Sequence, residues 1–71
     1  MSKIGKRAAE ELRKNAYKND VTITFELNCL GCEHSNLYAW DHDRATPGGI
    51  TLAKMLEMGY DINYILLGVR S

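Results

Sequence analysis

The first twenty residues carry apolar and polar positions at the spacing of an amphipathic helix. The apolar positions recur every three or four residues, at Ile4, Ala8, Ala9, Leu12 and Ala16. Residues at this spacing share one face of a helix, and the opposite face here is charged. Ser2 is suited to capping the first turn, and the polar residues 18–20 are suited to ending the helix. The pattern predicts a helix from Ser2 to about Tyr17.

Residues 21–27 alternate between apolar and polar side chains and are rich in β-branched residues. By itself this pattern is typical of a half-buried strand. However, no other run in the chain is a credible strand, and a lone strand cannot satisfy its backbone hydrogen-bonding groups. We therefore expect a helix that begins at about Thr22 or Thr24 and ends at Cys29.

A glycine turn and another short helix follow. Gly31 suits the left-handed conformation that ends a helix and redirects the chain. Residues 33–41 then carry Leu37 and Trp40 three positions apart, and these two side chains are predicted to face the core. A polar loop closed by Pro47 ends the segment.

The residues after Pro47 predict a fourth helix that ends near Gly59. Its apolar positions are Ile50, Leu52, Ala53 and Leu56, with Met55 as a further candidate. These positions indicate an amphipathic helix whose apolar face packs on the core.

Asp61 and Gly68 delimit a predicted fifth helix, because aspartate favours the N-cap and glycine the residue just beyond a helix. Its apolar residues lie on more than one side. We expect the core to receive Ile62, Ile65 and Leu66, leaving Leu67 or Tyr64 outside. Residues 1–71 are therefore predicted to form one compact all-α domain of five helices.

Composition and charge narrow the function. A chain of 71 residues has room for one small core. Its nine basic and nine acidic residues give a net charge of zero, which argues against strong non-specific binding to nucleic acid. No run approaches the roughly 18 apolar residues of a membrane span, and no hydrophobic signal core follows the basic start. We expect a cytoplasmic protein without a membrane partner.

The C-x-x-C pair Cys29 and Cys32 is the clearest candidate for metal chemistry. With His34 and His42 it would supply four zinc ligands, but the spacing matches no zinc-finger pattern. Cys32 is expected to be buried in the turn, where cysteine acts as a small hydrophobic residue. A redox role lacks the βαβ context. We therefore predict neither a metal nor a cofactor.

An enzymatic role has little support in the sequence. The run Asp41-His42-Asp43 could supply acid and base groups, but no nucleophile accompanies it and so short a chain has little room for a substrate pocket. We predict that the protein is not an enzyme and that this run is a polar loop.

Three motifs together resemble the Cro/repressor-type (XRE-like) helix-turn-helix family, and small phage repressors in particular. They are L-G-C before the helix with Leu37 and Trp40, then D-H-D-R-A-T-P, then G-Y-D-I-N-Y-I-L-L-G. The resemblance covers Leu27 to Gly68 and implies a five-helix, lambda-repressor-like domain. Members of the family are usually dimeric on DNA, with the third helix in the major groove. The chain departs from the family pattern at Ile23, Glu26 and Leu27.

The resemblance also implies which side chains contact DNA. The residues implied to face base edges are Glu33, His34, Ser35 and Ala39. Those implied to contact phosphates are Thr22, Asn36, Tyr38, His42, Arg44 and Thr46. Short polar side chains such as Ser35 can bond to base edges, and a methyl group such as that of Ala39 can contact the methyl of thymine.

These observations lead to two hypotheses. The first is a sequence-specific transcriptional regulator that binds a double-stranded DNA operator as a homodimer joined through its C-terminal helix. The alternative is a helix-turn-helix-shaped protein-interaction module, such as an antirepressor or adaptor. The neutral charge and the acids Glu33, Asp41 and Asp43 favour the alternative.

Overall fold

The computed structural model describes residues 2–71, and within this range the chain forms five helices and no strand. The helices are α1 (Ile4–Lys18), α2 (Ile23–Cys29), α3 (His34–Asp41), α4 (Gly49–Glu57) and α5 (Ile62–Leu67). The all-α, five-helix prediction is confirmed. No helix of the described residues combines the length and the hydropathy needed to cross a bilayer.

Helix α1 is the centre of the packing, because α2, α3 and α5 all lie against it. The predicted apolar stripe is confirmed, since Ala8, Ala9, Leu12 and Ala16 are all buried. The helix begins at Ile4 after the cap residue Lys3. Ser2 contributes by accepting a hydrogen bond from the Ile4 N–H at 3.2 Å.

Most of residues 21–27, the segment with strand-like alternation, is helical. We expected a helix here because the chain has no other strand to pair with this segment. Thr22 caps α2, and its hydroxyl oxygen accepts a hydrogen bond from the Phe25 N–H at 3.0 Å. Leu27 is buried, but Phe25 is 55% exposed. Helical periodicity explains this difference, because residues two apart do not share a face of a helix.

Glu26 is buried in the core, with only 2% of its surface exposed. Its Oε2 accepts hydrogen bonds from the Asn15 side-chain amide at 2.6 Å and from the Tyr60 hydroxyl at 2.5 Å. Burial and the Glu26 carboxylate raise the pKa of Tyr60, so the phenol remains a donor. The carboxylate therefore links α1, α2 and the residue before the α5 cap.

The turn between α2 and α3 is a Schellman motif centred on Gly31, whose φ is 71°. The Cys32 N–H donates to the Leu27 carbonyl at 2.9 Å, and the Gly31 N–H donates to the Asn28 carbonyl at 3.0 Å. These two bonds satisfy carbonyls at the end of α2 and fix the start of α3.

Gly5 allows α1 to approach the end of α3 closely. A Cβ atom at this position would lie 2.6 Å from the Ala45 carbonyl oxygen and 2.8 Å from that of Trp40. Next to it, the Lys6 N–H donates to Asp43 Oδ1 at 3.1 Å. The loop after α3 is therefore held against the first turn of α1.

The predicted core face of α4 is wrong in part. Ile50 and Leu56 are 79% and 64% exposed, and Ala53 is exposed as well. Met55 is fully buried and Leu52 is partly buried. The reason is that α4 packs mainly on α5, so only a narrow side of the helix meets the core.

Helix α5 has the predicted caps. The Asp61 side chain accepts a hydrogen bond from the Tyr64 N–H at 3.0 Å, and Gly68 adopts the left-handed conformation. Ile65 is buried and Leu67 is exposed, as predicted. Leu66 was predicted to face the core, but it is 40% exposed. Six residues are too few for a broad buried face, and Ile65 takes the central position.

The residues after α5 fold back onto α1. Arg70 donates to Glu11 at 2.7 Å and to Glu10 at 3.1 Å, and its guanidinium lies 3.6 Å from the centre of the Tyr64 ring. The Ser71 N–H donates to Asp61 Oδ2 at 3.0 Å. The buried Glu11 carboxylate thereby has a cationic partner, which Glu26 lacks among residues 2–71.

Replacing Tyr60 by phenylalanine tests the buried carboxylate. We expect Tyr60→Phe to lower the free energy of unfolding by about 1–3 kcal/mol, because Glu26 loses a donor that water cannot replace. Urea denaturation followed by circular dichroism gives the value. Tyr64→Phe is the matched control, since the Tyr64 hydroxyl bonds to the exposed Glu10, and its loss should be smaller. Equal losses would contradict the role assigned to Glu26.

Candidate nucleic-acid interface

The residues that the family resemblance implies for base contacts lie just before α3 and along it. Burial of Leu37 and Trp40 fixes the rotation of the helix. Glu33, His34 and Ser35 are consequently exposed, whereas Ala39 is half-buried. The face is short and polar at its N-terminal end.

Two residues implied to contact phosphates stabilise the N-termini of helices instead. Asn36 Oδ1 accepts a hydrogen bond from the Glu33 N–H at 2.8 Å at the start of α3. Thr22 does the same for α2 through its bond with Phe25. These side chains hold the helix N-termini in shape, and both residues remain exposed.

His34 and Ser35 differ in their surroundings. His34 Nε2 lies 2.9 Å from the Thr24 hydroxyl on α2. The Ser35 hydroxyl has no hydrogen-bond partner in residues 2–71. Ser35 therefore has both its donor and its acceptor capacity free for a ligand.

Tyr38, His42 and Arg44 form an aromatic–arginine cluster at the C-terminal end of α3. The Tyr38 and His42 rings lie 4.2 Å apart between centroids, and the Arg44 guanidinium carbon lies 5.8 Å from the centre of the Tyr38 ring. His42 Nδ1 is 2.9 Å from the Tyr38 carbonyl oxygen. The cluster holds a cation beside α3, and Thr46 is exposed in the same loop.

Two of the acids near α3, Asp41 and Asp43, are bound within the chain. Arg13 makes two hydrogen bonds of 2.7 Å to the Asp41 carboxylate. The hydrogen bonds from Arg13 hold the pKa of Asp41 below its usual value. Asp43 accepts the Lys6 N–H. Repulsion between these acids and a nearby phosphate is reduced accordingly, above all at Asp41.

Both arginines of α1 are occupied by contacts within the chain. Arg13 pairs with Asp41, and Arg7 donates to the Ile65 carbonyl at 3.0 Å and the Leu66 carbonyl at 3.4 Å. Arg7 thereby caps the C-terminus of α5. The remaining basic residues of this region are exposed lysines: Lys3, Lys6, Lys14 and Lys18.

The two cysteines are free thiols in different environments. Cys32 is buried, as predicted, and Cys29 is exposed. Within residues 2–71 no group of three or more histidine, cysteine or acidic side chains is arranged to hold a metal ion.

Sequence reasoning missed Thr24, Arg13 and Glu26 as residues that support α2, α3 and the candidate interface. Thr24 contacts His34, Arg13 neutralises Asp41, and Glu26 anchors α2. The one signal in the sequence was that Glu26 departs from the family pattern. This departure did not identify the residues that bond to Glu26.

Comparison of the chain with models of known protein families, with curated proteins and with solved structures finds no match in any of the three.

The Arg13–Asp41 pair predicts a pH-dependent contribution to stability. A carboxylate whose pKa is lower in the folded protein stabilises the fold above its unfolded pKa of about 3.9, and this contribution is lost as the pH falls through the folded pKa. At pH 7 we expect Arg13→Gln to reduce the free energy of unfolding by about 0.2–1 kcal/mol, since the pair is partly exposed.

The difference between the wild type and Arg13→Gln should shrink below about pH 4. Urea denaturation over a pH series measures it, with Lys14→Gln as a control on an exposed residue of the same helix. A difference that stays constant at acidic pH would contradict the assignment.

Proposed function

We propose that this chain is a sequence-specific DNA-binding transcriptional regulator of the phage-repressor or Cro type. The observation that carries the proposal is the outer face of α3, where the exposed His34 and Ser35 lie on the same helix as the aromatic–arginine cluster. In this proposal α3 enters the major groove, and operator binding in the cytoplasm blocks or recruits the polymerase.

The polar groups of this face suit two kinds of contact. Ser35 and His34 can bond to base edges, while Arg44 and His42 can approach phosphates on the flanking backbone. Because the net charge of the chain is zero, we expect its binding to DNA of arbitrary sequence to be weak. Discrimination between sequences then depends on the few short side chains at the start of α3.

A homodimer through α5 is the second part of the proposal. Leu66, Leu67 and Val69 are 40%, 72% and 62% exposed, at the end of α5 and just beyond it. Exposed apolar residues in such a group commonly mark an association surface. A twofold dimer would present two copies of α3 to half-sites about 34 Å apart.

A protein-interaction module remains the alternative function. It is supported by the neutral charge and by the exposed Phe25 on α2, a residue that DNA-reading chemistry does not require. One measurement distinguishes the two functions: whether the protein selects a preferred DNA sequence.

Selection from a pool of random duplexes tests the DNA-reading proposal. We expect enrichment of a pseudo-palindromic site, because a twofold dimer reads two half-sites. Ser35→Ala should weaken binding to that site about three- to tenfold, since one hydrogen bond to a base is lost. Arg44→Gln should weaken binding to all duplexes and reduce the salt dependence by about one phosphate contact. Failure to enrich any sequence would favour the protein-interaction alternative.

A charge placed on α5 tests the dimer. Leu67→Lys should shift the protein towards the monomer in analytical ultracentrifugation, because a buried lysine at the interface would be desolvated. The helical circular dichroism should be unchanged, since Leu67 is exposed. Ile50→Lys is the matched control at an exposed apolar residue of α4. If both variants behave like the wild type, α5 is not the interface.

A further inference from the structure

The bond between Thr24 and His34 joins the two helices on either side of the turn. The Thr24 hydroxyl oxygen lies 2.9 Å from His34 Nε2. Within residues 2–71 it is the one side-chain hydrogen bond between α2 and α3. His34 is the first residue of α3 and is exposed, so its ring orientation depends on this contact.

The same bond determines whether the other ring nitrogen, Nδ1, is a hydrogen-bond donor or an acceptor. A neutral imidazole has one N–H donor and one acceptor nitrogen. Thr24 lies in the first turn of α2, and no helical carbonyl precedes it by four residues, because α2 begins at Ile23. The hydroxyl proton is therefore available to Nε2, and when the hydroxyl donates it, Nδ1 carries the ring proton.

We propose that Thr24 is a positioning residue for base recognition, which holds His34 in the Nδ1–H tautomer with this donor turned to the major groove. The inference rests on the proposed DNA-binding function and deepens it. The acceptors of the groove edge that a single N–H donor can use are N7 of either purine, O6 of guanine and O4 of thymine. Both purines offer N7, whereas thymine offers only O4 and cytosine offers no acceptor, so we expect His34 to prefer a purine and to disfavour cytosine at its position.

Substitution of Thr24 by valine removes the hydroxyl and keeps the shape of the side chain. We expect Thr24→Val to weaken binding to the selected site about three- to tenfold, to relax the purine preference at one position of each half-site and to leave binding to a scrambled duplex unchanged. Thr24→Ser is the matched control and should retain affinity. In a His34→Ala background, Thr24→Val should have no further effect, because the residue that Thr24 positions is absent.

A second measurement reports on the bond without DNA. Nitrogen-15 NMR at about pH 8.5, where imidazoles are neutral, should show the Nδ1–H tautomer of His34 in the wild type and a mixture of tautomers in Thr24→Val. The Nε2–H tautomer in the wild type would overturn the proposal, as would equal losses on both duplexes or an undiminished effect in the His34→Ala background. If the wild type selects no sequence, the proposed function fails; if it selects one and Thr24→Val behaves like the wild type, this inference fails alone.

Discussion

A buried carboxylate with two neutral donors is the interaction on which the arrangement of this domain depends. Glu26 lies on α2 and is buried in the core of the domain. Its partners Asn15 and Tyr60 belong to α1 and to the segment before α5. Because a buried charge is stable only while its hydrogen bonds persist, the three segments must keep their distances. The position of α2 in turn fixes the Schellman turn and therefore the direction of α3.

Local signals in the sequence were sufficient for α1 and for the ends of α5, whereas the local pattern of residues 21–27 favoured a strand and only the lack of a pairing strand favoured a helix. Asp61 and Gly68 act as the predicted caps through bonds to atoms within a few residues, and such bonds are visible in a linear pattern. The partners of Glu26 are 11 and 34 residues away, and no pattern reports them. The apolar face of α4 was misjudged for a related reason: nearly every residue there is apolar or small, so periodicity does not select a side.

The inner and outer sides of α3 were predictable from the sequence, but the availability of the outer side chains was not. Leu37 and Trp40 identify the inner side of α3, and the outer side follows from helical geometry. Whether an outer side chain is free depends on its neighbours in space. Asn36 Oδ1 accepts the Glu33 N–H, and Asp41 is paired with Arg13. Only the folded chain separates the free hydroxyl of Ser35 from these occupied groups.

The close approach of α1 to the end of α3 at Gly5 limits which substitutions this sequence can accept. A side chain at position 5 would collide with the carbonyl oxygens of Trp40 and Ala45, which belong to rigid backbone and cannot turn aside. Lys6 contributes its backbone N–H to Asp43, and its own side chain is free to vary. Among diverged copies of this chain we expect an invariant glycine beside a variable neighbour, although position 5 is remote from the face that would read DNA.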